Sequence, residues 1–233
     1  MLFGFLCTVQ TMPLILFEDN HLIAVAKRPG DITQGDITGD TPLSDIIKEY
    51  LKVTYNKPGN VFVGTIHRID RPVSGVVLFA KTSKALARMN EQFKERNTQK
   101  MYWALVEGVP PKVEDTITHY LKRNQHNNVT TAFDKPGSGA QEAVLSYKVL
   151  KTQGKFTLVE VKPITGRTHQ IRAQLSKIGV SIKGDKKYRS AFSNYDRSIC
   201  LHARELKFFH PVTKEEVVIT APIVNEEYWE GFI

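Results

Sequence analysis

The residues His67-Arg68-Ile69-Asp70-Arg71-Pro72-Val73-Ser74-Gly75 set one carboxylate between two arginines where the chain is expected to turn back on itself. In an extended run, His67, Ile69 and Arg71 share one face and Arg68 and Asp70 the other, while Pro72 and Gly75 interrupt a strand ladder. Asp70 is therefore expected on a loop between two strands. Such an acid is either the centre of a site, kept ionised by cationic neighbours, or part of an ordinary surface turn in which it pairs with an adjacent arginine.

The flanking elements can be read from periodicity. Leu14 to Phe17 and Leu22 to Lys27 read as short strands, and Thr41-Pro42 reads as an N-cap with proline at the first helical position of a helix running to about Tyr50. Beyond Asp70, Gly75 to Lys81 is a nearly continuous apolar run suited to a strand buried on both faces. Ser83 could cap a helix with Leu86, Met89 and Phe93 inward, and Met101 to Glu107 reads as the next strand. Glu142 to Leu150 and Thr157 to Val161 alternate as strands, and Arg167 to Ile178 fits a helix with Ile171, Leu175 and Ile178 on one stripe and Arg172 beside it. Mostly adjacent strands with few helices indicate an α+β architecture. The turn-rich stretches 123–129 and 134–139 are candidates for an excursion from the sheet, either a clamp on a bound partner or a plain solvated hairpin.

Composition limits the function classes. The chain has 233 residues, 41% hydrophobic, with a formal charge of +8 and a pI near 9.4, as for a globular protein with an anionic partner. A chain of this length buries roughly 70% of its surface on folding and needs no disulfide or metal staple. Cys7 and Cys200 have no metal-like spacing and suggest a reducing, cytoplasmic setting. His119 with His126, and His202 with His210, lack partners at ligand spacing, so no metal is expected. No apolar run approaches the roughly 18 residues of a membrane span. Residues 1–12 are apolar but lack a basic leading region and a cleavage site. Met12 is then a candidate initiator, residues 1–11 a dispensable extension, and one domain is expected over 14–233. No amphipathic excess asks for a second subunit, so a monomer is expected.

The 67–75 segment resembles the signature of the RluA-type family of RNA pseudouridine synthases, His-Arg-Leu-Asp-Arg-x-Thr-Ser-Gly, in which the aspartate is the nucleophile. Ile69 replaces the usual Leu, and Val73 replaces the usual Thr, losing a hydroxyl but keeping a β-branched shape. The resemblance continues in family order through Phe17 to Gly30, Lys100-Met-Tyr-Trp-Ala-Leu-Val-Glu-Gly108, Lys162-Pro-Ile-Thr-Gly-Arg-Thr-His-Gln-Ile-Arg172, Gly179 to Tyr188 and Leu201 to Pro211. It implies a stand-alone catalytic domain with a mixed, mainly antiparallel sheet and helices and loops around a cleft.

The resemblance also implies the chemistry. Converting uridine to pseudouridine breaks the bond from N1 to the ribose, turns the base and joins C5 to the same carbon, without net oxidation or hydrolysis, so no cofactor is required. Asp70 would be the nucleophile and Arg172 its charge partner, since a dry pocket disfavours an ionised acid unless a cation faces it. Tyr102 would stack on the target base and is a candidate acceptor of the C5 proton, although a phenol is a weak base at neutrality. The uridine must be extruded from structured RNA, in 23S ribosomal or transfer RNA, at a cost of a few kcal/mol that phosphate contacts offset. His67, Arg68, Arg71, Arg167, His169, Lys183, Lys186 and Lys187 are the expected RNA contacts, with Lys177 and Arg189 in the same basic run. Arg68 would fill the space the base vacates, Arg167 is a phosphate contact or a structural pair, and for the lysines a solvated face is the alternative. Glycoside-type hydrolysis would need a second carboxylate, for which Asp185 is a candidate. The rival from another class is an RNA-binding or RNA-folding protein without catalysis.

Overall fold

The computed structural model describes residues 12–35 and 39–233. The extension expected at 1–11 lies outside the described residues, and Pro13, assigned to it as well, is buried in the fold. Strands β1 (Ile15–Glu18), β2 (Leu22–Lys27), β3 (Gly64–Thr65), β4 (Ser74–Ala80), β5 (Gln99–Glu107), β6 (Glu114–Asn124), β7 (Val129–Phe133), β8 (Gln141–Gln153), β9 (Phe156–Pro163), β10 (Leu201–Phe209) and β11 (Glu216–Thr220) form one sheet. Its order is β1-β2-β4-β10-β5-β9-β8-β6-β7, with β3 beside β4 and β11 beside β10. β4 and β10 run parallel and the other pairs antiparallel. This is the expected mixed, mainly antiparallel α+β architecture.

β2 and β4 are buried along their whole length because both faces are covered. One face, with Ile23, Val25, Val77 and Phe79, packs with Leu43, Ile47 and Leu51 of helix α1 (Leu43–Thr54). The other, with Leu22, Ala24, Val76, Leu78 and Ala80, packs with Ala85 and Met89 of helix α2 (Ser83–Lys94). Pro42 takes the N-cap position of α1 without a side-chain bond, one residue later than expected, and the helix runs on to Thr54. Thr82, not Ser83, caps α2: its hydroxyl accepts the Ala85 N–H at 3.1 Å.

The third helix differs more from expectation. α3 spans Gln170–Lys177, three residues shorter at its start than the apolar stripe suggests. His169 has the left-handed φ of 53°, and the Gln170 side chain accepts the Arg167 N–H at 2.9 Å, so 167–169 is a turn. The stretch 123–129 is the turn of the β6–β7 hairpin at the sheet edge, where Arg123 Nε donates to Asn128 Oδ1 at 3.0 Å.

Candidate functional site

The Asp70 loop joins β3 to β4 at the middle of the sheet, and strand register sets what it faces. Gly75, Ala203 and Tyr102 lie in one row across β4, β10 and β5. Gly75 has φ +119°, and a Cβ there would sit 2.2 Å from the Ala203 carbonyl oxygen, so only glycine lets β4 approach β10 this closely. That approach carries the end of the Asp70 loop to within one strand of Tyr102.

The loop itself is pinned from beneath. The Asp70 carbonyl accepts the Val73 N–H at 3.0 Å, closing a turn, and Ile69 and Val73 are buried in the main core. Lys27, at the end of β2, is fully buried and its ammonium donates to the carbonyls of Arg28 (3.0 Å), Arg71 (3.0 Å) and Val73 (2.7 Å). Burial pushes its pKa down to about 7, opposed by the Asp31 and Asp70 carboxylates. His67 is also structural: its Nε2 accepts the Leu78 N–H at 3.1 Å and its ring stacks on Phe93 at 5.1 Å. Burial, with Lys100 nearby, lowers its pKa to about 3, so it meets the cavity as a neutral ring rather than a cation.

Asp70 then borders a cavity of about 510 Å³ whose walls include Tyr102, Phe93, the 163–167 turn and α3. Arg172 Nη1 donates to Asp70 Oδ2 at 2.9 Å, as expected. The same guanidinium is held along its other edge by Asp185, Nε to Oδ2 at 2.6 Å and Nη2 to Oδ1 at 2.8 Å. It also lies over the Tyr188 ring at 5.0 Å. Burial works against the charge of Arg172, but Asp185 and Asp70 outweigh it and raise its pKa further, so it is a permanent cation. Asp185 is 1% exposed. It is a carboxylate behind Arg172 rather than beside Asp70, which removes it as the second acid of a glycosidase pair.

His169 approaches Asp70 from the side, Nε2 to Oδ2 at 3.7 Å. The Tyr188 hydroxyl accepts the Thr130 N–H at 2.9 Å and lies 2.9 Å from His169 Nδ1, bracing the imidazole from behind. Burial keeps His169 neutral, with its pKa lowered to about 4 although Asp70 pulls the other way. Tyr102 lines the same cavity, and burial together with the Asp70 charge pushes its phenol well above the usual range. It presents a neutral ring suited to stacking rather than a phenolate base.

The expected cationic residues divide. Arg68 is exposed at the cavity, and Arg167 lines it with Nε donating to the Glu142 carbonyl at 3.0 Å. Arg71 turns away and pairs with Asp40. Lys183 does not reach the cavity: its ammonium donates to the Tyr228 carbonyl at 3.0 Å and lies 4.9 Å from the Phe156 ring centroid, tying down the C-terminal turn. Lys186 donates to the Ala191 carbonyl at 2.8 Å, Lys187 to the Asn128 carbonyl at 3.3 Å, and Lys177 pairs with Asp134 at 2.7 Å. In their place the cavity recruits Lys94, Arg96 and Lys100 from the end of α2 and the start of β5. Their signal was Lys94-Glu-Arg-Asn-Thr-Gln-Lys100, a basic helix end leading into the Tyr102 strand.

Residues 21–177 match the family model described as RNA pseudouridylate synthase. The chain is 32% identical over 219 residues to the ribosomal large subunit pseudouridine synthase C of Buchnera aphidicola, covering 90% of this chain and 67% of that protein. It is 31% identical over 234 residues to the tRNA pseudouridine synthase C of Vibrio parahaemolyticus, covering 93% of this chain and 92% of that one. In fold it is similar to human RNA pseudouridylate synthase domain containing 4, with a TM-score of 0.76 at 24% identity over 91% of this chain and 88% of that chain.

Proposed function

The chain belongs to the RluA-type family of RNA pseudouridine synthases, a family of RNA isomerases, and from that premise we propose that it isomerises uridine in structured ribosomal or transfer RNA through Asp70. The observation that carries this reading is the single hydrogen bond from Arg172 to Asp70 at a cavity walled by Tyr102. The uridine is extruded into the cavity with its base against Tyr102 and its ribose toward Asp70. Asp70 attacks as the nucleophile, the bond from N1 to the ribose breaks, and the base turns while the walls hold it. C5 then bonds to the same ribose carbon, releasing its proton as N1 gains one, and Asp70 leaves as the carboxylate it was. Arg172, a permanent cation hydrogen-bonded to Asp70, sets a fixed positive charge beside the attacking carboxylate. Arg68 and Arg167 contact RNA at the rim, and Arg68 takes the place of the flipped base. The protein acts as a monomer in the cytoplasm.

Tritium release from transcripts labelled at uridine C5, on transfer RNA and on large-subunit ribosomal RNA, tests the proposal. Wild type is expected to release tritium from one of the two, and Asp70→Asn, which is isosteric, to bind that RNA unchanged and release none. Residual release by Asp70→Asn removes the nucleophile role. Tight, salt-sensitive binding by wild type with no release would favour an RNA-binding protein without catalysis.

A further inference from the structure

Lys100 has the least explained charge at the cavity. It and Tyr102 are two residues apart on β5 and both line the cavity, so their side chains leave the same face of the strand about 7 Å apart. Lys94 and Arg96 are exposed, where water solvates their charge, but Lys100 is partly enclosed. The influences on its ammonium are burial and the nearby Arg96, both disfavouring the charged form, and no carboxylate among the described residues offsets them. Its other neighbours are His67, which is neutral, and Gly166.

Gly166 gives the second observation. A Cβ on this residue would stand 3.6 Å from the Lys100 ammonium and otherwise meet nothing within 4 Å. The bare α-carbon therefore leaves the space in front of Lys100 open to the cavity. Any branched side chain at 166 would fill it.

An enclosed ammonium among cations, facing open space, requires an anion from outside the chain. We propose that Lys100, across the gap kept by Gly166, binds a phosphate oxygen of the extruded nucleotide itself, so that the uridine is held by its own phosphate as well as by its base. The inference rests on the functional reading above, because it takes the base to lie on Tyr102 and the ribose at Asp70. It assigns Lys94 and Arg96 to flanking phosphates and Lys100 to the one attached to the reacting residue. A bound phosphate would also favour the charged form of Lys100, offsetting the burial and the Arg96 charge that disfavour it.

Binding of small ligands tests this without requiring turnover. Uridine 3′-monophosphate, uridine 5′-monophosphate and uridine are titrated against wild type, Lys100→Gln, Lys100→Arg and Gly166→Val, following the lysine ammonium-adjacent carbons by NMR. At least one monophosphate is expected to bind wild type at least tenfold tighter than uridine and to shift the Lys100 signal. That preference should vanish in Lys100→Gln and in Gly166→Val, which keeps every cation, and return in part in Lys100→Arg. Monophosphates binding no tighter than uridine, or a preference that survives both Lys100→Gln and Gly166→Val, would overturn the inference. Because no tritium is counted, failure here is distinct from failure of the isomerase reading. On RNA, the same lysine variant should reduce the slope of log affinity against log salt by about one unit.

Discussion

At the scale of single residues, the arrangement turns on how one guanidinium is shared. Asp185 takes the bidentate edge of Arg172 and leaves Asp70 one donor, Nη1 at 2.9 Å. Two carboxylates on one cation leave the group with net negative charge, and Asp70 keeps an oxygen that Arg172 does not bind. Were Arg172 free to swing, it would chelate Asp70 with both donors and make it a poorer nucleophile. Asp185 is thus a positioning residue that acts through Arg172. Asp185→Asn is expected to lower turnover by about 10- to 100-fold, as loss of a supporting partner commonly does, with RNA affinity unchanged. Asp185→Asn frees the Nε and Nη2 edge of Arg172 for Asp70, so the loss should fall on kcat with KM nearly unchanged. A loss of turnover matched by loss of folded protein, with kcat per folded molecule unchanged, would leave Asp185 a purely structural role. The convergence of Asp70, Arg172 and Tyr102 on one cavity was legible in the sequence through the family resemblance, which ties three distant motifs to one site. Asp185 was legible only as a spare acid, since nothing local says which edge of a distant arginine it will take.

At the scale of elements, the loop is a construction of several strands. Lys27 at the end of β2 crosses to the carbonyls of Arg71 and Val73 on either side of Pro72, while Gly75 lets β4 close on β10. An ammonium has three N–H groups, matching its three carbonyl acceptors, whereas an uncharged amine would leave one unserved. Lys27→Met keeps the length and apolar stem but strands those carbonyls. It is expected to cost roughly 2–4 kcal/mol, or about 4–16 °C of melting temperature for a chain of this size, and to reduce turnover per folded molecule because Asp70 is no longer fixed. An unchanged melting curve would show that the loop is held by other contacts. Such long-range ties explain which parts of the fold could be read beforehand. Continuous apolar runs announced β2 and β4, whereas the parallel β4–β10 pairing joins residues far apart in sequence and has no local signal. α3 starts late because the Gln170 side chain and the left-handed His169 make a turn that an apolar period cannot reveal. Lys183, Lys186 and Lys187 read as one basic run, yet each ammonium found a backbone carbonyl.

At the scale of the whole molecule, burial separates the ionisable groups of the interior: Lys27 and Arg172 are satisfied by carbonyls and carboxylates, while His67, His169 and His202 are held neutral. His202 is fully buried between β4 and β11, its Nδ1 2.8 Å from the Ser74 hydroxyl and its Nε2 3.3 Å from the Ala221 carbonyl. Burial lowers its pKa to about 4, as it lowers those of His169 to about 4 and His67 to about 3. In the unfolded chain all three titrate near 6.5. Their folded values are depressed, so the unfolded state binds more protons between these limits and stability must fall as pH falls. The contribution is complete above about pH 6.5 and is lost as pH drops toward 4, at up to about 1.4 kcal/mol per pH unit for each histidine. Most carboxylates remain ionised in both states down to about pH 5, so the histidines set the slope in the upper part of this window. Melting temperature measured from about pH 6.5 to 5 is expected to decline steadily, with a shallower decline in His202→Gln. A melting temperature constant to pH 5 would mean that these rings accept protons within the fold, contrary to their enclosure.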